Sequence, residues 1–220
     1  MAELERSVLD YCEALASRAP TPGGGGASAL VGALGAALGS MAAALTLGKP
    51  RYAAVETELA GLADEAAALR RVLLELSERD AEAFAPLARA YAIPKDAPGR
   101  AETLETCLHA ACAAPLEIMR QAGRALALVE RIGAICAVLA ASDAGTGAAL
   151  CRAALYGAAF NVRANTRLMQ DRAYAALCEQ EADALRAELA PRADAVCAAV
   201  LARLALRRRT ECKNFFAPRR

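Results

Sequence analysis

Across 220 residues the chain carries 26 basic and 25 acidic side chains, a balance that leaves no global field for nucleic acid or an anionic membrane surface. Hydrophobic residues make up 56% but aromatics only 4%, with Trp absent; alanine is the largest contributor to the apolar fraction, which favours closely packed helices over strands. The length suits one domain with a sizeable core, so residues 1–220 are read as a single all-α domain, a multi-helix bundle around a buried, Ala/Gly-rich central helix.

Leu4, Val8, Leu9, Tyr11, Cys12 and Leu15 recur at helical spacing and predict a first helix over residues 4–18. The run Pro20-Thr21-Pro22-Gly23-Gly24-Gly25-Gly26 stops it, because prolines and successive glycines do not continue a helix cheaply. A second helix is expected from about Ala27 to Leu47. No charge occurs between Arg18 and Lys49, so this helix is apolar on every side. Its length would span a bilayer, and Gly35 and Gly39 make a GxxxG pair. Alanine and glycine dominate it, however, and aromatic flanks are missing apart from Tyr52. The expectation is therefore a helix buried in the bundle, not a membrane span, with Gly32, Gly35 and Gly39 admitting neighbouring backbones and Gly48 as its C-cap.

A third helix is predicted over residues 53–91, with Leu59, Leu62, Leu69, Val72, Leu73, Leu76 and Phe84 as its apolar stripe. Pro94 and Pro98 mark a turn. The fourth helix begins near Arg100 and runs towards Leu139, with Pro115 as a kink or break. Ser142-Asp143-Ala144-Gly145 reads as the cap of a fifth helix that continues through Met169. Pro191 is expected to separate two amphipathic C-terminal helices, and Arg207-Arg208-Arg209 with Lys213, Arg219 and Arg220 forms a basic tail, a frayed terminus or a handle for an acidic substrate.

Eight cysteines are scattered without a CxxC pair, and His109 is the only histidine, so no metal constellation is expected. Free thiols as small buried hydrophobes fit a reducing compartment. The charged N-terminus lacks a signal-peptide apolar stretch, and the expected location is cytoplasmic.

Four features stand out from the helical background. Gly23, Gly24, Gly25 and Gly26 abut an apolar helix, where open amides and the helix dipole favour a carbonyl or carboxylate. Lys49 stands at the opposite end of that helix, where a cation also complements the dipole. Asp80 lies within a charged stretch, Glu78-Arg79-Asp80, whose ordinary reading is a solvated face. Asn161 and Asn165, four apart, share one face of an Ala-rich helix that otherwise disfavours Asn.

In order and spacing, the Pro-Thr-Pro-Gly-Gly-Gly run, Leu45-Thr46-x-Gly48-Lys49, Asp80-x-x-x-Phe84, Ser142-Asp143-Ala144-Gly145 and Asn161-Val162-x-x-Asn165 together resemble the formiminotransferase-cyclodeaminase C-terminal family. That family includes stand-alone bacterial methenyltetrahydrofolate cyclohydrolases. The resemblance implies an all-helical bundle forming homodimers or larger assemblies, a one-carbon tetrahydrofolate as ligand, and no further cofactor. It further implies hydrolysis of 5,10-methenyltetrahydrofolate to 10-formyltetrahydrofolate, with formimidoyltetrahydrofolate cyclodeamination or a catalytically impaired folate-binding oligomer as alternatives. Lys49, Asp80 and Asp143 are the implied catalytic residues. Pro22, Gly23, Gly24, Gly25, Gly26, Ser142, Asn161 and Asn165 are the implied substrate-binding set. Gly26, where many cyclodeaminases carry Ser, resembles the cyclohydrolase branch. The chain departs from the family where Ala44 replaces a common Asn, and where residues 136–141, including Ala137 and Leu139, replace a Gly-Asn-x-Asn-like stretch.

Overall fold

The computed structural model describes residues 6–205, in which six helices occur and no strand. They are α1 (Val8–Leu15), α2 (Gly24–Ala44), α3 (Glu56–Tyr91), α4 (Arg100–Ile135), α5 (Ala141–Thr166) and α6 (Arg172–Ala205). The all-α expectation holds. Residues 1–5 and the basic tail from residue 206, with Cys212, lie outside the described residues.

Helix α2 packs on α3, α4 and α5. Its buried residues are all Gly, Ala or Ser, from Gly25 to Ala43. Helix α5 runs antiparallel beside it at backbone range. A Cβ added to Gly35 would lie 2.9 Å from the Gly147 carbonyl oxygen, and one added to Gly147 would lie 2.9 Å from the Gly35 carbonyl oxygen. Two helices come this close only where neither carries a side chain at the crossing. The sequence expectation of close approach at Gly32, Gly35 and Gly39 is met, with Ala154, Gly147 and Val129 as the respective neighbours.

The same helix corrects two expectations. It is not buried on every side: Leu34 is 50% exposed and Met41 46%, so the small residues face inward and the large ones outward. By length and composition Gly24–Ala44 is long and apolar enough to cross a membrane, with mean hydropathy 1.6 over its best window, half of which is buried. It also starts at Gly24, not Ala27, which places three of the four glycines inside its first turn.

Prolines end fewer helices than expected. Pro115 and Pro191 sit within α4 and α6, and Pro86 within α3. Pro191 separates nothing; an interior proline costs about 3 kcal/mol, but Leu189, Ala190, Ala193 and Val196 around it are all buried, and that packing keeps α6 continuous. Ser142-Asp143 is not a cap either. Helix α5 begins at Ala141 with Ala140 preceding it, so Asp143 lies in the first turn, where its charge still complements the dipole. Helix α4 stops at Ile135, short of Leu139, and Arg203 of α6 covers its end by donating to the carbonyls of Gly133 (2.6 Å) and Cys136.

Candidate active site

At the N-terminal end of α2 lies an open cleft of about 160 Å³. Pro20 and Thr21 form one wall, Phe84 of α3 and Ala111 of α4 another, and Gly23, Gly24, Asp80, Asn161, Ala164 and Asn165 complete the lining. Helix α3 brings Asp80 there because Ser77 and Asp80 are one turn apart on the face turned to α2. The Gly26 amide donates to Asp80 Oδ2 at 2.8 Å, and the buried Ser77 hydroxyl donates to the Gly26 carbonyl at 3.1 Å. Both sides of one residue are thus held by α3. Gly25 makes room: a Cβ there would lie 2.2 Å from Asp80 Oδ1.

This arrangement corrects the reading of the glycine run as an open anion-binding loop. The Gly26 amide already receives a carboxylate, that of Asp80, which also sits at the positive end of the helix dipole. Pro22, Gly25 and Gly26 are buried and do not line the cleft, whereas Gly23 and Gly24 do. Asp80 is partly buried and bonded, not on a solvated face.

Helix α5 supplies the two asparagines on its C-terminal half, as their spacing of four requires. Asn161 Nδ2 donates to the Gly157 carbonyl at 2.8 Å, and Asn165 Nδ2 donates to the Ala111 carbonyl of α4 at 2.9 Å. A carbonyl accepts only, so each amide must turn its NH₂ to the backbone, which fixes the orientation of its oxygen.

Lys49, Ser142 and Asp143 lie elsewhere. Lys49 follows the C-terminal end of α2, and Ser142 and Asp143 open α5, which runs antiparallel to it. Thr46 joins these two segments: its hydroxyl donates to the Ala42 carbonyl and accepts the Ala137 amide, both at 2.8 Å. At 1.5 Å per residue, the 21-residue α2 separates this end from the Asp80 cleft by about 30 Å within one chain. Ala44, Ala137 and Leu139, the departures from the family pattern, fall at the Lys49 end.

Sequence reasoning missed Ser77, Ala111 and Ala164. Ser77 left one signal, a hydroxyl directly after Leu76 on an otherwise apolar stripe; the two alanines left none. Among the described residues, no group of three or more His, Cys, Asp or Glu side chains gathers as a metal site would.

The molecule is thus a helical bundle, not a solenoid or coiled coil, with a polar cleft at one end of a glycine-rich helix and Lys49, Ser142 and Asp143 towards the other. Comparison with known proteins is specific. The family model for formiminotransferase-cyclodeaminase matches residues 7–184. A methenyltetrahydrofolate cyclohydrolase of Methylorubrum extorquens is 37% identical over 186 residues, which cover 83% of this chain and 89% of that protein. The formimidoyltransferase-cyclodeaminase of Mus musculus is 30% identical over 172 residues, 76% of this chain but 32% of that longer protein. The crystal structure of formiminotetrahydrofolate cyclodeaminase from Thermotoga maritima superposes with a TM-score of 0.77 at 28% identity, covering 90% of this chain and 99% of that one. The chain belongs to the formiminotransferase-cyclodeaminase family.

Proposed function

We propose that this protein is a folate one-carbon enzyme that hydrolyses 5,10-methenyltetrahydrofolate to 10-formyltetrahydrofolate. The observation that carries the reading is the match to the Methylorubrum extorquens cyclohydrolase, which spans most of both chains. The substrate holds an electron-poor carbon between two nitrogens. Water adds to that carbon and loses a proton to a base; the carbon–N5 bond then breaks as N5 takes a proton. Asp80 and Asp143 are the carboxylates suited to face the cation or accept the proton, and Lys49 is the group suited to orient water or return a proton.

These groups belong to two ends of the bundle, so the reading includes a homodimer or larger homo-oligomer. Leu34 lies at the midpoint of α2 on its exposed apolar face, and Phe160 of α5 is 68% exposed. A two-fold axis passing near Leu34 would set the Lys49 and Asp143 end of a second copy against the Asp80 cleft of the first. We take the protein as cytoplasmic, without metal or redox cofactor and without nucleic-acid or membrane partners. The near-neutral charge and the seven free described thiols support that placement.

The test follows the loss of methenyltetrahydrofolate absorbance. Decay well above the spontaneous rate is expected. Appearance of that absorbance from formimidoyltetrahydrofolate, with ammonia release, would assign the cyclodeaminase reaction instead. Folate binding with neither change would leave an impaired binding protein, with the losses at Ala44, Ala137 and Leu139 as its cause.

A further inference from the structure

We infer that Arg203 of α6 is a positioning residue: it fixes the connection between α4 and α5 that presents Asp143, and so sets the geometry of that end of the site. This rests on the folate reading, in which Asp143 is one of the reacting carboxylates.

The connection does not hold itself. Residues 136–141 read Cys-Ala-Val-Leu-Ala-Ala, where the family pattern carries a Gly-Asn-x-Asn-like stretch, so the segment has no side-chain amide to bond its own backbone. Two groups from other helices bond it instead. On one side the buried Thr46 hydroxyl, three residues before Lys49, accepts the Ala137 amide at 2.8 Å. On the other, Arg203 donates through one guanidinium nitrogen to the Gly133 carbonyl at 2.6 Å and through the second to the Cys136 carbonyl. A planar guanidinium bridging two carbonyls fixes their relative orientation, which a point charge does not.

From these carbonyls the packing leads directly to Asp143. Gly133 stands against the next residue, Ala144: a Cβ on Gly133 would lie 3.2 Å from the Ala144 Cβ. Val200, one turn before Arg203, stands over Gly145, where an added Cβ would lie 2.9 Å from Val200 Cγ1, and the Cys197 thiol donates to the Gly145 carbonyl at 3.7 Å. The end of α6 therefore lies along the first turn of α5, on the two residues that follow Asp143. Burial pushes the Cys136 thiol up; Arg203 draws it down and Asp143 raises it, so both charges act on one side chain. The helix dipole alone would account for a cation near the last carbonyls of α4. Arg203 goes further, because it comes from another helix and also bonds Cys136, the first residue beyond α4. It lies outside residues 7–184, the span matched by the family model.

The test compares wild type, Arg203→Met and Arg203→Lys in the methenyltetrahydrofolate decay assay, with circular dichroism and urea midpoints in parallel. Arg203→Met is expected to lower kcat by about 10- to 100-fold while KM stays within about threefold of wild type. Arg203→Lys, which keeps the charge but loses the two-carbonyl bridge, should recover part of that loss. A purely structural cap would lower the urea midpoint and leave the kcat of the folded protein unchanged, and that result overturns the inference. Should Arg203→Met not fold, Arg203→Lys decides alone: a kcat about 3- to 10-fold below wild type at unchanged KM supports the inference, and a wild-type kcat overturns it. Asp143→Asn at the wild-type rate also overturns it, by removing the group positioned, while wild-type turnover leaves the cyclohydrolase reading standing. A wild type without turnover removes both.

Discussion

Gly25 and Gly61 lie in helices, yet alanine should act on them in opposite directions. Nothing lies within 4 Å of a Cβ at Gly61, so Gly61→Ala should stabilise by about 0.5–1 kcal/mol, the usual gain in a helix interior. At Gly25 the new methyl would meet the Asp80 carboxylate at 2.2 Å, and Gly25→Ala should instead cost about 1–3 kcal/mol. Urea midpoints of the two variants check the signs; a stabilised Gly25→Ala would mean that Asp80 does not sit over the first turn. Burial pushes the thiols of Cys112 and Cys151 up to about 12 from an ordinary 9.0. The folded state therefore favours the protonated thiol, a contribution whole below pH 9.0 and lost as pH rises through about 12. Stability should fall over that alkaline window, and a Cys151→Ala variant should show a shallower fall. At this scale the sequence identified Asp80, Asn161 and Asn165 only through resemblance. Each alone reads as a solvated or cap-forming side chain, because its partners, Gly26, Gly157 and Ala111, contribute backbone atoms that no residue type reveals.

Between elements, the α2–α5 crossing was legible and the proline breaks were not. Small residues at 32, 35 and 39 predict close approach because spacings of three and four keep them on one helix face. Gly35→Ala would place a methyl 2.8 Å from Cys151 Sγ and 2.9 Å from the Gly147 carbonyl. It should lower stability by about 1–3 kcal/mol, read as a lower urea midpoint, because backbone cannot step aside. Pro191 failed as a boundary because local propensity was set against burial supplied from elsewhere in the bundle, which a local rule does not contain. The direction of α2's faces was hidden for a related reason. An uncharged helix gives no polar stripe to mark its outside, so the exposure of Leu34 and Met41 appears only in the packed structure.

For the molecule as a whole, the proposed site combines Lys49, Asp80 and Asp143, whereas within one chain the 21-residue α2 holds Asp80 about 30 Å from the end that carries the other two. The sequence does not carry that separation, since motif order says nothing of which end of a bundle each segment reaches. In the proposed dimer a second copy across the Leu34 face would bring the two ends together. Leu34→Asp should then yield monomers by light scattering and lose turnover while remaining helical; an active monomer would contradict the proposed assembly. The most direct measurement mixes Asp80→Asn with Lys49→Met subunits after exchange and follows methenyltetrahydrofolate decay at substrate below KM. Each variant alone should be deficient. In a mixed dimer one site regains both native residues, so the mixture should recover about a quarter of wild-type activity. A mixture no faster than the average of the two variants measured separately would contradict a folate site shared between the two ends of the bundle.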